Sequence, residues 1–72
     1  MRVTWDEGAS AGYIYLVDKI ESGEAKRTLV VADEENLILD FDKDGRLLGI
    51  EILDRRLMRP ELIAIAEQID TR

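Results

Sequence analysis

The 72 residues carry 16 acidic and 10 basic side chains, a net charge of −6, and neither cysteine nor histidine. A chain this short makes one domain, here 1–72, with a marginal core. No disulfide braces it, and the imidazole and thiolate ligands that zinc prefers are absent. The acidic balance excludes the basic face with which proteins hold a phosphate backbone, so no nucleic-acid partner is expected.

Arg2 to Asp6 alternates polar with Val3 and Trp5, which predicts a half-buried strand over about 2–6. The small, breaker-rich run Glu7 to Gly12 reads as a loop. Tyr13 to Asp18 is dense in aromatic and β-branched residues and predicts a strand over about 13–18. After the polar turn Glu21-Ser22-Gly23-Glu24, a third strand is expected over about 26–32. Asp33-Glu34-Glu35-Asn36 reads as a turn, followed by strands over about 37–42 and 46–53.

The period then changes. Pro60 suits the first turn of a helix, and Glu61 complements its positive end. Leu62, Ile63, Ile65, Ala66 and Ile69 recur at helical spacing, predicting a helix over about 60–70. The expected fold is therefore α+β: a five-stranded antiparallel meander, order 1-2-3-4-5, with one C-terminal amphipathic helix on one face. Short connections exclude parallel crossovers between these strands.

The chemistry-bearing stretch is Asp40 to Glu51. Asp40, Asp42, Asp44, Gly45 and Glu51 match the calcium-loop pattern D-x-[DN]-x-[DN]-G-x5-E. A calcium loop of that kind lies between helices, whereas strands flank this one, and an extended hairpin carries Glu51 away from the turn. The same residues make a turn with a glycine bulge, in which Asp42 and Asp44 bond to nearby backbone and Gly45 takes the left-handed conformation. That turn is the expectation, with no metal and no cofactor.

Without cysteine or histidine the common nucleophile–base pairs are missing, so no enzyme is expected. Arg55, Arg56 and Arg59 form the one basic cluster, either a solvated segment or a docking patch for an acidic partner. Tyr13 and Tyr15 share a strand face. With Leu47 and Leu53 they are the candidate interface, because a single helix can roof only one face of the sheet. No apolar run approaches membrane-spanning length, and Met1-Arg2-Val3 lacks a signal peptide's apolar stretch. The expected compartment is the cytoplasm, with no membrane partner.

Two motifs are familiar together. Trp5-Asp6 followed by Ala9, Ala11 and Tyr13-Ile14, then Asp40-Phe41-Asp42-Lys43-Asp44-Gly45 and Gly49-Ile50-Glu51-Ile52-Leu53, resemble a bacterial and archaeal family. It is the domain of unknown function twenty-two eighty-three family, and the resemblance covers roughly Arg2 to Asp54. Trp5 stands where that family usually has Tyr, and Ser10 where it usually has Asp. Some members look like one half of small toxin and antitoxin gene pairs, which implies an antitoxin-like or regulatory protein partner. The function expected is a non-enzymatic interaction module that self-associates as a homodimer. The alternative is a cation-binding domain using Asp40, Asp42, Asp44 and Glu51.

Overall fold

The computed structural model describes residues 1–31 and 36–69. Its strands are β1 (Arg2–Asp6), β2 (Ala11–Tyr15), β3 (Arg27–Val30), β4 (Leu37–Phe41), β5 (Leu47–Ile52) and β6 (Glu67–Gln68). A 3-10 turn, Arg55–Leu57, and one helix, α1 (Pro60–Ile65), lie between β5 and β6. All six strands form one sheet in the order β3-β4-β5-β2-β1-β6. The chain is thus predominantly β with a short helix.

The expected meander is corrected at its centre. β2 pairs with β5, not β3, through Gly12–Ile52 and Ile14–Ile50. The connection from β2 to β3, residues 16–26, is longer than the turn expected there and carries the chain to the far edge. Burial explains the choice. β2 and β5 each turn apolar side chains toward the helix, so placing them between β1 and β4 covers both flanks. β3, with Arg27 and Thr28, goes to the rim.

Pairing builds continuous rows. Val3, Ile14, Ile50, Leu39 and Leu29 lie side by side across five strands on the helix face. Trp5, Gly12, Ile52 and Leu37 form the next row. Trp5, Val3, Ile52 and Met58 make the buried core, with Leu62, Ile63 and Ala66 packed on it. Trp5 is fully buried; its ring and the Met58 methyl lie over Gly12, where a β-carbon would stand 2.9 Å from the ring.

The expected helix over 60–70 is also corrected. It ends at Ile65, and Ala66 is extended at φ −68° and ψ 140°. The chain then runs parallel to β1, pairing Thr4 with Glu67 and Trp5 with Gln68, and the Ile69 N–H reaches the Trp5 carbonyl at 2.9 Å. A β1 left as an edge would expose its outer backbone groups, and β6 satisfies them. The sheet is consequently mixed. The apolar face read for the long helix divides: Leu62, Ile63 and Ala66 meet the core, whereas Ile65 is 72% exposed. The ends of two expected elements, Ala32 and Asp70, and the expected turn at Asp33, Glu34 and Glu35 lie outside the described residues. β2 starts two residues early, at Ala11, and ends at Tyr15 rather than Asp18. No helix among the described residues is long and apolar enough to cross a membrane.

Candidate functional site

Strand alternation puts Thr4, Tyr13, Tyr15, Glu51, Asp40 and Thr28 on the sheet face away from α1. Two of these carry the geometry. The Tyr13 and Tyr15 rings pack tilted at 52° with centroids 4.6 Å apart, and the Arg2 guanidinium lies 4.2 Å over the Tyr15 ring. The Tyr13 hydroxyl donates to Asp40 Oδ2 at 2.6 Å, joining β2 to β4 across the intervening β5.

That reach across β5 needs Gly49. A β-carbon there would stand 2.4 Å from the Tyr13 ring and 2.8 Å from the Ile14 carbonyl oxygen. The glycine is therefore a gap through which an aromatic side chain lies flat on the strand, a use of Gly in sheets that exposes no backbone. Sequence reasoning missed this trio. The signal was present: a lone Gly inside an apolar strand, with a Tyr on a neighbouring strand.

Burial raises the Tyr13 pKa far above the ordinary tyrosine value, and the Asp40 carboxylate raises it further. Tyr13 therefore holds its proton throughout the neutral range and serves as a donor, not as an acid or base. Beside it, Thr4, Asp6, Ala9, Glu51 and Ile69 line a shallow depression of roughly 220 Å³. Asp6 is buried, and its carboxylate accepts the Ala9 N–H at 3.2 Å inside the β1–β2 loop.

The acidic hairpin resolves into two separate sets of bonds. Asp42 Oδ1 accepts the N–H groups of Asp44 and Arg46, both at 2.9 Å. The Arg46 side chain returns to Asp42 at 3.2 Å and to Asp44 at 3.0 Å. Gly45 has φ 80° and donates its N–H to the Asp42 carbonyl at 3.0 Å, as a type I turn with a left-handed closing residue requires. The Arg46 backbone and charge hold the Asp42 carboxyl below its usual range. Asp40 is engaged by Tyr13, and Glu51 sits on β5 opposite Tyr13 and Ile38. Of the four carboxylates in the calcium pattern, two close the turn and two belong to the tyrosine face. Among the described residues no group of three or more acidic side chains is placed to hold a metal ion.

The basic cluster is spent on internal ion pairs. Arg55 donates to Glu7, which also accepts the Trp5 indole N–H. The indole bond and then the Arg55 guanidinium lower the Glu7 pKa. Arg56 meets Asp54 at 2.7 Å and, as the main cause, draws the Asp54 pKa down to about 2. Arg59 meets Glu61 at 2.9 Å. The stems of Arg55 and Arg56, with Met58, Pro60 and Ile63, border an open groove of roughly 570 Å³ beside α1.

The candidate interface residues separate in space. Tyr13 and Tyr15 share the tyrosine face, whereas Leu47 begins β5 beside an irregularity in its pairing with β4. Leu53 follows the end of β5 and donates its N–H to the Asn36 carbonyl. Leu47 is 36% exposed and Leu53 43%. A larger apolar exposure lies elsewhere: Leu29, Val30 and Val31 are each about half exposed, and all of β3 is open to solvent. The sequence reading had singled out none of the three as interface.

Compared with known proteins, residues 2–55 match the model of a family described as a protein of unknown function (DUF2283). Nothing matches among the curated proteins, and nothing among the solved structures. The matched span ends before Met58, Leu62, Ile63 and Ala66, the residues that roof the core.

Proposed function

The chain belongs to the DUF2283 family, and from that premise we propose that it is a non-enzymatic protein-interaction module that self-associates as a homodimer. One observation carries the reading. Among the described residues, ten large hydrophobic side chains are more than a third exposed, against five that are buried. Scattered exposure is ordinary, but here three of the ten are consecutive and sit on one rim. A small chain without disulfides gains most by covering such a surface with protein.

The chemistry of the polar face fits this reading. Tyr13 keeps its proton, the arginines of the basic cluster are turned onto carboxylates, and the acidic hairpin is closed on Arg46. These are bonds that hold a surface in one shape for recognition. A second copy is the first partner, and an antitoxin-like or regulatory role would add a different small protein on the same scaffold. The setting in this reading is the cytoplasm.

Light scattering after size exclusion, run from micromolar to millimolar protein, tests the proposal. The expected result is a mass that rises toward twice the chain mass. A single chain mass at every concentration would end it.

A further inference from the structure

The two rims of the sheet are unlike. At one, β6 is two residues long, Glu67 and Gln68, both polar and exposed. At the other, β3 runs Arg27-Thr28-Leu29-Val30 and continues into Val31, which donates its N–H to the Leu37 carbonyl at 2.9 Å. Antiparallel ladders alternate, so Arg27 and Leu29 also turn their backbone groups toward β4. Thr28 and Val30 then turn theirs outward, away from the sheet. Natural edges are usually blunted by charge, proline or a bulge, and Thr28 to Val31 has none of these.

We propose that β3 pairs antiparallel with β3 of a second copy about a two-fold axis at Leu29, joining two sheets into one. The inference rests on the self-association proposed above and names its surface. An outward row of backbone donors and acceptors fits an extended strand, and two features make that strand a second β3. The stretch Arg27–Val31 is symmetric in length about Leu29, so reversal overlaps all five residues. Thr28 then faces Val30 of the other copy, and each outward N–H and C=O meets its complement.

The row Val3–Ile14–Ile50–Leu39–Leu29 ends at a leucine that is 53% exposed. Leu29 against Leu29 continues it into the other copy. A single pair of edge strands is a small interface, and the dimer is accordingly weak and concentration-dependent.

Two variants test this in the full chain. Val30→Pro removes an outward N–H that the fold itself does not use, in a strand position where proline is tolerated. It takes one hydrogen bond from each copy and is expected to raise the dimer Kd roughly tenfold or more. Leu29→Cys places a lone thiol, in a chain with no other, where a non-hydrogen-bonded pair brings the two α-carbons within disulfide reach. Mild oxidation should give a covalent dimer in high yield, with Ile65→Cys on exposed α1 as the comparison. If the wild type dimerises but Val30→Pro leaves Kd unchanged, or Ile65→Cys links in place of Leu29→Cys, the edge pairing is wrong and self-association stands. A wild type that is monomeric throughout overturns both.

Discussion

The two ends of the sheet are made of similar strands and differ in what lies over them. At the β1–β2–β5 end, the segment after residue 54 folds back as a 3-10 turn, α1 and β6, and buries Trp5 completely. At the β3–β4 end the cover thins: β4 is half-buried, and β3 is exposed along its whole length. The apolar row from Val3 to Leu29 passes through both ends, buried at Val3 and half open at Leu29. Strand composition alone therefore does not decide burial in this protein. Residues 55–69 do, by their reach: six helical residues span about 9 Å, too short to roof all six strands.

The sharpest break in that comparison is truncation at each end of the row. Trp5→Ala should cost about 3–5 kcal/mol, because a full indole leaves a packed site. Leu29→Ala should cost well under that, about 1 kcal/mol or less in the monomer, since half its surface already meets water. Urea unfolding of the two variants measures both, and equal losses would show that the open end is covered after all.

Gly49→Ala tests the seam between the ends. Its β-carbon meets the Tyr13 ring and the Ile14 carbonyl, so a loss of about 1–3 kcal/mol is expected. The Tyr13→Ala background should recover part of it, leaving the clash with the carbonyl. Full additivity in the double mutant would mean that the ring does not lie over Gly49 in solution.

Gly45→Ala acts at the hairpin of the open end. At φ 80° a β-carbon is strained although nothing crowds it, so the cost should be about 1 kcal/mol. An unchanged melting temperature would remove the left-handed turn.

Tyr13→Phe reads the polar face by pH. The folded-state pKa of Tyr13 is raised, so its contribution is fully present below the unfolded value near 10 and is lost as pH rises through the folded one. The wild type should lose stability on going alkaline above pH 10, and Tyr13→Phe should lose less of it over that window. The smallest effect expected is that of calcium: the melting temperature should move no more than with magnesium at equal ionic strength, because Asp42 and Asp44 are already bonded to Arg46. A calcium-selective rise, abolished by Glu51→Gln, would restore the cation-binding reading.

Five strands were legible because alternation and turn residues are local. Val3 and Trp5 against Thr4, or Asp42 through Gly45, carry their own signal, and the glycine turn formed as read. Strand order was not legible. It depends on which strands the core needs at its centre, and the pairing of Ile14 with Ile50 across 36 positions leaves no local trace. The helix was read too long for a related reason. Ile65 and Ile69 continue the helical spacing, but the unpaired outer side of β1 competes for the same residues and takes Glu67 and Gln68. At the tyrosine face, the shared face of Tyr13 and Tyr15 was visible, whereas Gly49 acquired meaning only once Tyr13 was seen to cross it.

The parallel ladder between β1 and β6 also sets a timetable. Thr4 and Glu67 stand 63 positions apart, so β1 is the last of the described strands to be fully paired. Until residues 58–69 have left the ribosome, Trp5 has no roof and β1 has an open side. Closing so long a loop is entropically slow, and contacts of this range depress folding rates. The same ladder is only two residues long, so it should be among the first to open in the folded protein. Amide exchange at Gln68 and Ile69 should then run ahead of exchange in β2 and β5, making the C-terminal seam both the final step of folding and the first step of its reversal.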